Sequence, residues 1–188
     1  MLKSVMKKSL LAQSDQLKRE GEKLLKKLKI ETILGAHGHV VYTGSFEANL
    51  MTHGDIDIYV VGTWNKSKVK IIFNKLFDSL NVKGLLLFNW IAYRDPRYPK
   101  AWYIGIKDNY QNRKWKIDIW FLTKKQVQQL PFAEWDSIPL SDRQRRTILK
   151  FKEYRNKNKL DIQSVEIYKA VLDRNITSLK HFLKHCKE

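Results

Sequence analysis

Three features of the sequence predict an α/β (α+β) chain that ends in a helical C-terminal segment. Leucines recur at helical spacing near the N-terminus, β-branched and aromatic residues alternate through the middle, and after Thr123 the chain turns basic and helix-periodic. The length, 188 residues, suits one compact domain or a small domain with a helical appendage, and is tight for two independent domains. With 43% hydrophobic and 29% charged residues, the composition is globular rather than disordered or membrane-embedded.

The elements follow in order. From about Leu2 to Lys29, Leu10, Leu11, Leu17, Leu24, Leu25 and Leu28 recur with lysines between them, which predicts one or two amphipathic helices, with Gly21 as the candidate separator. The segment "ILGAHGHVVYTGS" gives glycine punctuation and then a strand from His39 to Thr43 that ends at Gly44. "FEANLM" suits one short helix, and "DIDIYVV" alternates as a strand. "NKSKVKIIFNKLFDSL" has helical period, with Asn65 or Ser67 as its cap. "VKGLLLFNWIAYR" holds one strand, and "AWYIGIKDN" and "KWKIDIWFL" flank "NYQNR" as a hairpin. Beyond it, "SDRQRRTILKFKEYRNKNK" opens with a capping-box pattern, Ser141 and Gln144, and continues as a basic helix. Two more helices are expected at about Ile162 to Asp173 and Ile176 to Lys187. "LPFAEWDSIPL", with two prolines, is the candidate boundary between the two parts.

Bulk properties narrow the setting. No apolar run approaches the roughly 18 residues of a membrane span. The basic N-terminus lacks a sustained apolar core and a small-residue cleavage site, so it does not read as a secretory signal. A lone cysteine, Cys186, forms no internal disulfide and suits a reducing compartment, so a cytoplasmic location is expected. Lys and Arg number 36 against 19 Asp and Glu, a formal charge of +17 that favours an anionic partner, nucleotide or nucleic acid. Solvated lysine-rich helices such as "LKREGEKLLKKLK" account for part of that excess.

Against that basic background, "GSFEANLMTHGDIDIYV" places Asp55 and Asp57 inside an apolar strand. Two buried like charges raise each other's pKa and call for neutralisation. Two residues apart on a strand, they share one face while Ile56, Ile58 and Val60 pack the other. Asp118 has the same setting, between Ile117 and Ile119, so pairing of the two strands makes three carboxylates converge. Hard oxygen ligands on a rigid sheet suit Mg²⁺, which takes the rest of its shell from water and substrate phosphates. Upstream, Gly44 and Ser45 lie between strand and helix, where backbone N–H groups and a hydroxyl hold phosphate.

Gly-Ser, then nine residues, then "DID" on a strand and a lone Asp on a later strand resembles the nucleotidyltransferase superfamily, which includes DNA polymerase β and the antibiotic and minimal nucleotidyltransferases. The matched segment runs from about Val40 to Leu122. The resemblance implies a mixed β-sheet core flanked by helices, with residues 1–130 as the nucleotidyltransferase core and its N-terminal helices, and 131–188 as a helical C-terminal segment closing over the nucleotide or acceptor. It implies an enzyme that transfers NMP from an NTP to an acceptor hydroxyl by a two-metal mechanism, releasing pyrophosphate. Gly44 and Ser45 would hold the outer phosphates; Asp55, Asp57 and Asp118 would bind two Mg²⁺ ions, with Asp118 as general base. Some members carry an arginine soon after the Gly-Ser pair, where this chain has Asn49, so further phosphate contacts must come from elsewhere or be absent.

Other residues have two readings each. Asp108, in "KDNYQNR", is the rival third acid or a hairpin residue. His37, His39 and His53 are loop or strand-start residues, or metal or phosphate contacts. Trp90, Trp102, Trp115 and Trp120 pack the sheet or stack on a base or an aromatic acceptor. Arg143, Arg145, Arg146, Lys150, Lys152 and Arg155 track a phosphate backbone or form a solvated face. The net charge favours RNA or another anionic or neutral acceptor over a cationic aminoglycoside. The alternatives are a non-catalytic nucleic-acid or partner-binding protein that keeps the fold, antitoxin-like, and a small-molecule antibiotic nucleotidyltransferase.

Overall fold

A computed structural model describes residues 9–130 and 139–186. Most of the proline-bearing stretch Leu130–Leu140, and the start of the predicted N-terminal helix, therefore lie outside the described residues. Helix α1 (Leu10–Lys27) begins at Ser9, whose hydroxyl accepts from the Ala12 N–H, and runs without a break through Gly21. The expected separation there is corrected: a Cβ on Gly21 would sit 2.9 Å from Phe46 and 3.1 Å from Trp115. The glycine lets the helix lie close on the sheet, and its packing outweighs its poor helix propensity. The chain breaks instead at Lys29, which takes a left-handed conformation before α2 (Ile30–Gly35).

Among the described residues five strands form one sheet in the order β1-β2-β5-β4-β3. These are β1 (His39–Thr43), β2 (Gly54–Val61), β3 (Gly84–Asn89), β4 (Trp102–Tyr110) and β5 (Arg113–Leu122). β2 and β5 are parallel and every other pairing is antiparallel, so the sheet is mixed, as expected. The predicted hairpin is β4–β5, turned by Gln111 and Asn112, both at positive φ as a two-residue type I′ turn requires. Asn65 caps α4 (Lys66–Ser79) by accepting from the Lys68 N–H. "FEANLM" is helical only at its start, in α3 (Gly44–Glu47), and "NWIAYR" leaves the strand to form α5 (Trp90–Tyr93). Asn89 causes that exit, because its side chain accepts from the N–H groups of Ile91 and Ala92.

One sheet face packs on α1, α2 and α4 through Leu17, Leu24, Ile56, Ile58, Ile72, Ile117 and Ile119. A second apolar cluster joins α7 (Asp142–Asn158), α8 (Ser164–Tyr168), a π-helical turn (Lys169–Asp173) and α9 (Leu179–His185) to Leu50. Between β5 and this cluster lies the short α6 (Lys124–Gln128), opened by a Thr123 capping box; α7 has the Ser141–Gln144 box read from the sequence. Among the described residues no helix is long and apolar enough to cross a membrane.

A polar clamp fixes the loop after α3 to both neighbours. Asn49, at positive φ, donates to Asp15 at 2.7 Å, and its carbonyl accepts from Ser14 at 2.8 Å and Arg145 at 3.2 Å. Arg145 also pairs with Asp15 at 2.7 Å, which holds that carboxyl below the usual carboxylate range. Arg145→Ala is expected to cost about 2 kcal/mol, the typical worth of charged hydrogen bonds that are mostly shielded. Urea unfolding measures it, and a loss below about 0.5 kcal/mol would leave the clamp no stabilising role.

Candidate functional site

The open face of the sheet carries the acids. Along β2 the buried residues are Gly54, Ile56, Ile58 and Val60, so Asp55, Asp57 and Tyr59 project to the opposite side. Register then settles the neighbourhood. Asp57 is the direct partner of Asp118 on β5, Asp55 that of Lys116, and Thr43 at the end of β1 faces Asp57. The three predicted acids thus share one face, whereas Asp108 pairs with Trp115 farther along the hairpin and lines a separate pocket with Lys27 and Ser79.

The electrostatics follow from this crowding. Burial first, then Asp55 and Asp118, push the Asp57 carboxyl up to about 7. Asp118 is buried and raised by that burial, against the pull of Lys116 and Tyr103. It accepts from the Tyr103 hydroxyl at 2.6 Å and from Lys116 Nζ at 2.5 Å. Burial works to raise Asp55 too, but His53, Lys116 and Lys152 prevail and hold it below the ordinary range. His53 Nε2 lies 3.7 Å from Asp55 Oδ2, so that histidine faces the acids.

A divalent cation fits this donor set. Asp55 Oδ1 is buried with no hydrogen-bond partner among the described residues, and three carboxylate groups of hard oxygens stand side by side. Among the described residues no three acidic, His or Cys side chains already form a metal cage. Asp118 is turned into its bonds with Lys116 and Tyr103, which leaves the pair Asp55 and Asp57 as the open donors.

Beside the acids, α3 starts at Gly44, whose φ of 66° is left-handed and where a Cβ would stand 2.9 Å from Asp57 Oδ2. Only glycine brings the Ser45 turn this near the carboxylate. Ser45 Oγ accepts from Lys152 Nζ at 2.6 Å and lies 3.3 Å from the Tyr168 hydroxyl. Lys152, on α7, is 1% exposed and also donates to the Leu50 carbonyl at 2.9 Å and to Tyr168 at 3.3 Å. These acceptors are all neutral. Burial, then Arg155, lowers the Lys152 amine to about 7. The basic helix is thereby divided: Arg143, Arg146 and Lys150 face solvent, Arg145 clamps, Arg155 binds the Ile162 carbonyl and Ser164, and Lys152 points inward. Its signal was its position, four residues after Ile148 and one after Phe151, inside the buried stripe of α7.

Gly44, Ser45, the three acids and Tyr168 line one cleft of about 600 Å³, together with Arg97, Tyr98 and Trp120, and Lys152 is buried against its Ser45 and Tyr168 hydroxyls. Among the tryptophans, Trp115 is core and Trp120 lines the cleft.

The chain carries a nucleotidyltransferase fold. A solved structure of Cid1, an RNA terminal uridylyl transferase, superposes with a TM-score of 0.54 at 15% identity, covering 79% of this chain and 42% of that one. The non-canonical poly(A) polymerase complex GLD-2–GLD-3 gives 0.48 at 13% identity, covering 88% and 60%. This chain therefore spans less than two thirds of either protein. No protein-family model matches the chain, and no curated protein sequence does.

Proposed function

We propose that the protein transfers a nucleoside monophosphate from an NTP to an acceptor hydroxyl, with pyrophosphate as leaving group. The observation that carries this reading is the register Asp57–Asp118, with Asp55 on the same face, in one cleft with Gly44 and Ser45, whose hydroxyl accepts from the buried Lys152. Ser45, the Gly44 turn and the buried Lys152 ammonium hold the outer phosphates, so Lys152 supplies the contact that Asn49 does not. Divalent ions such as Mg²⁺, held by Asp55, Asp57 and Asp118, would supply positive charge at the α-phosphate and at the attacking and leaving oxygens. Asp118, with its carboxyl raised above the ordinary range, takes the proton of the acceptor hydroxyl. The net charge of +17 favours an anionic acceptor such as RNA.

The test is incubation with each labelled NTP, Mg²⁺ and either total RNA or a small-molecule panel. Metal-dependent label transfer with pyrophosphate release is expected. No transfer, together with no binding of NTP or Mg²⁺, refutes the reading.

Lys116 bears on a second reading, a non-catalytic binding protein that keeps the fold, because its ammonium already neutralises Asp118. On the enzymatic reading it is a competitor for that carboxylate. Lys116→Met is then expected to tighten Mn²⁺ binding about tenfold, a modest change because the lysine is half exposed and screened. Calorimetric titration reads it, and an unchanged or weaker affinity would end the competitor role.

A further inference from the structure

We propose that the aromatic wall on the Asp118 side of the cleft, formed by Trp120 and Tyr98, seats the terminal nucleobase of the acceptor. This rests on the nucleotidyl-transfer reading and adds the substrate's chemistry to it. The sheet register lays two rows side by side on the open face. Thr43, Asp57, Asp118 and Gly105 form one; Tyr59, Trp120, Tyr103 and Phe88, each two residues along its strand, form the next. A row of rings thus adjoins the row of acids.

Above that row stand Trp90, on α5, and Tyr98. The Trp90 and Tyr98 rings lie 4.1 Å apart by centroid, and Tyr98 and Trp120 are near parallel, 17° apart in plane and 6.0 Å in centroid. Tyr103 packs on Trp120 at 4.8 Å, and the Arg97 guanidinium, fixed by Asp95, covers Tyr98 at 5.7 Å. The rings therefore brace one another, Tyr98 is still 40% exposed, and Tyr59, Arg97, Tyr98 and Trp120 line the same cleft as the acids. Rings held stiffly at a cleft wall are a stacking platform, because every base presents a π-face.

Direction selects the acceptor over the donor. In-line displacement puts the attacking hydroxyl opposite the leaving pyrophosphate. Gly44 and Ser45 follow β1, at one edge of the sheet, whereas Trp120 and its supports belong to β5, β4 and the segment after β3, on the far side of Asp57. The wall offers rings and the Arg97 guanidinium, and the chain as a whole is strongly cationic, which suits a base carried on an anionic strand.

The experiment measures binding, independent of turnover. A labelled single-stranded oligoribonucleotide, free adenosine and a fluorescent ATP analogue are each titrated against wild type, Trp120→Ala, Trp120→Phe and Tyr98→Ala. Oligonucleotide affinity is expected to fall about tenfold or more in both alanine variants and to be largely kept in Trp120→Phe, with ATP-analogue affinity changed less than about twofold. An equal loss for free adenosine would make a mononucleoside the acceptor; a loss for the oligonucleotide alone would make it a strand end. Either result sustains the base seat. The proposal is overturned if a Tyr98→Ala protein that melts cooperatively leaves oligonucleotide and adenosine binding unchanged, if the loss falls on the ATP analogue instead, or if wild type binds neither base-bearing ligand. Loss on the ATP analogue would refute the acceptor seat while leaving nucleotidyl transfer intact, whereas absent label transfer with the expected binding losses would refute only the enzymatic reading.

Discussion

Asp57→Asn is expected to abolish nucleotidyl transfer, by about a thousandfold or more, while raising the melting temperature of the metal-free protein. Both effects come from one feature. Asp57 is flanked by Asp55 two residues before it and Asp118 across the β2–β5 ladder, and all three line the cleft on the same sheet face. Burial and those neighbours raise its carboxyl to about 7, so near neutral pH the fold holds a charge it disfavours. A raised acid binds a proton in the folded state that the unfolded chain has already lost between about pH 4 and 7. Its contribution to stability therefore falls as pH rises through that window. Asparagine keeps the shape and removes the charge, so the melting temperature rises above pH 7. Catalysis moves the other way, because an amide cannot neutralise a divalent ion, and several kcal/mol of transition-state stabilisation correspond to about a thousandfold in rate. Label transfer and thermal melting of the same variant measure both. Retained transfer, or retained biological function without transfer, would favour the non-catalytic reading.

The acids were legible in the sequence because their signal is local. An Asp between isoleucines with period two has only one face to occupy, which holds for Asp57 and Asp118, and Asp55, two residues before Asp57, shares its face. The choice of Asp118 over Asp108 needed more than pattern, since it depends on the parallel pairing of β5 beside β2. The Gln111–Asn112 turn and the caps at Asn65 and Ser141 were also legible, each being fixed within a few residues. Long-range packing was not. Gly21 has the local signature of a helix break, and what keeps it helical is the approach of Phe46 and Trp115, which are distant in sequence. Lys29, where the helix does break, is a residue type that gives no sign of a left-handed backbone. The aromatic row was visible as tryptophans, but its place beside the acids follows from the pairing of Tyr59, Trp120 and Tyr103 across three strands.

Lys152 carries the second large expected effect, because it ties α7 to Ser45 at the proposed phosphate seat. Its ammonium is buried among the Ser45 hydroxyl, the Leu50 carbonyl and the Tyr168 hydroxyl, with no carboxylate of the described residues bonded to it. A buried cation with neutral partners is unfavourable alone and favourable once an anion arrives. Lys152→Met, similar in length and apolar, is expected to weaken NTP binding about 10- to 100-fold, in line with the loss of a charge-assisted hydrogen bond to phosphate. Its melting temperature at pH 7 should equal or exceed that of wild type. The pH profile separates this from a merely structural lysine. With the amine lowered to about 7 against an ordinary 10.5, the unfolded chain binds a proton between those values that the folded protein does not. Wild-type stability therefore gains from this group as pH rises from about 7 to about 10.5, and the gain is absent from Lys152→Met. Melting curves of both proteins at pH 7, 8 and 9, together with nucleotide titrations, test the pair of effects. A variant that melts much lower and binds NTP normally would make Lys152 a packing residue and leave the phosphate seat to Gly44 and Ser45.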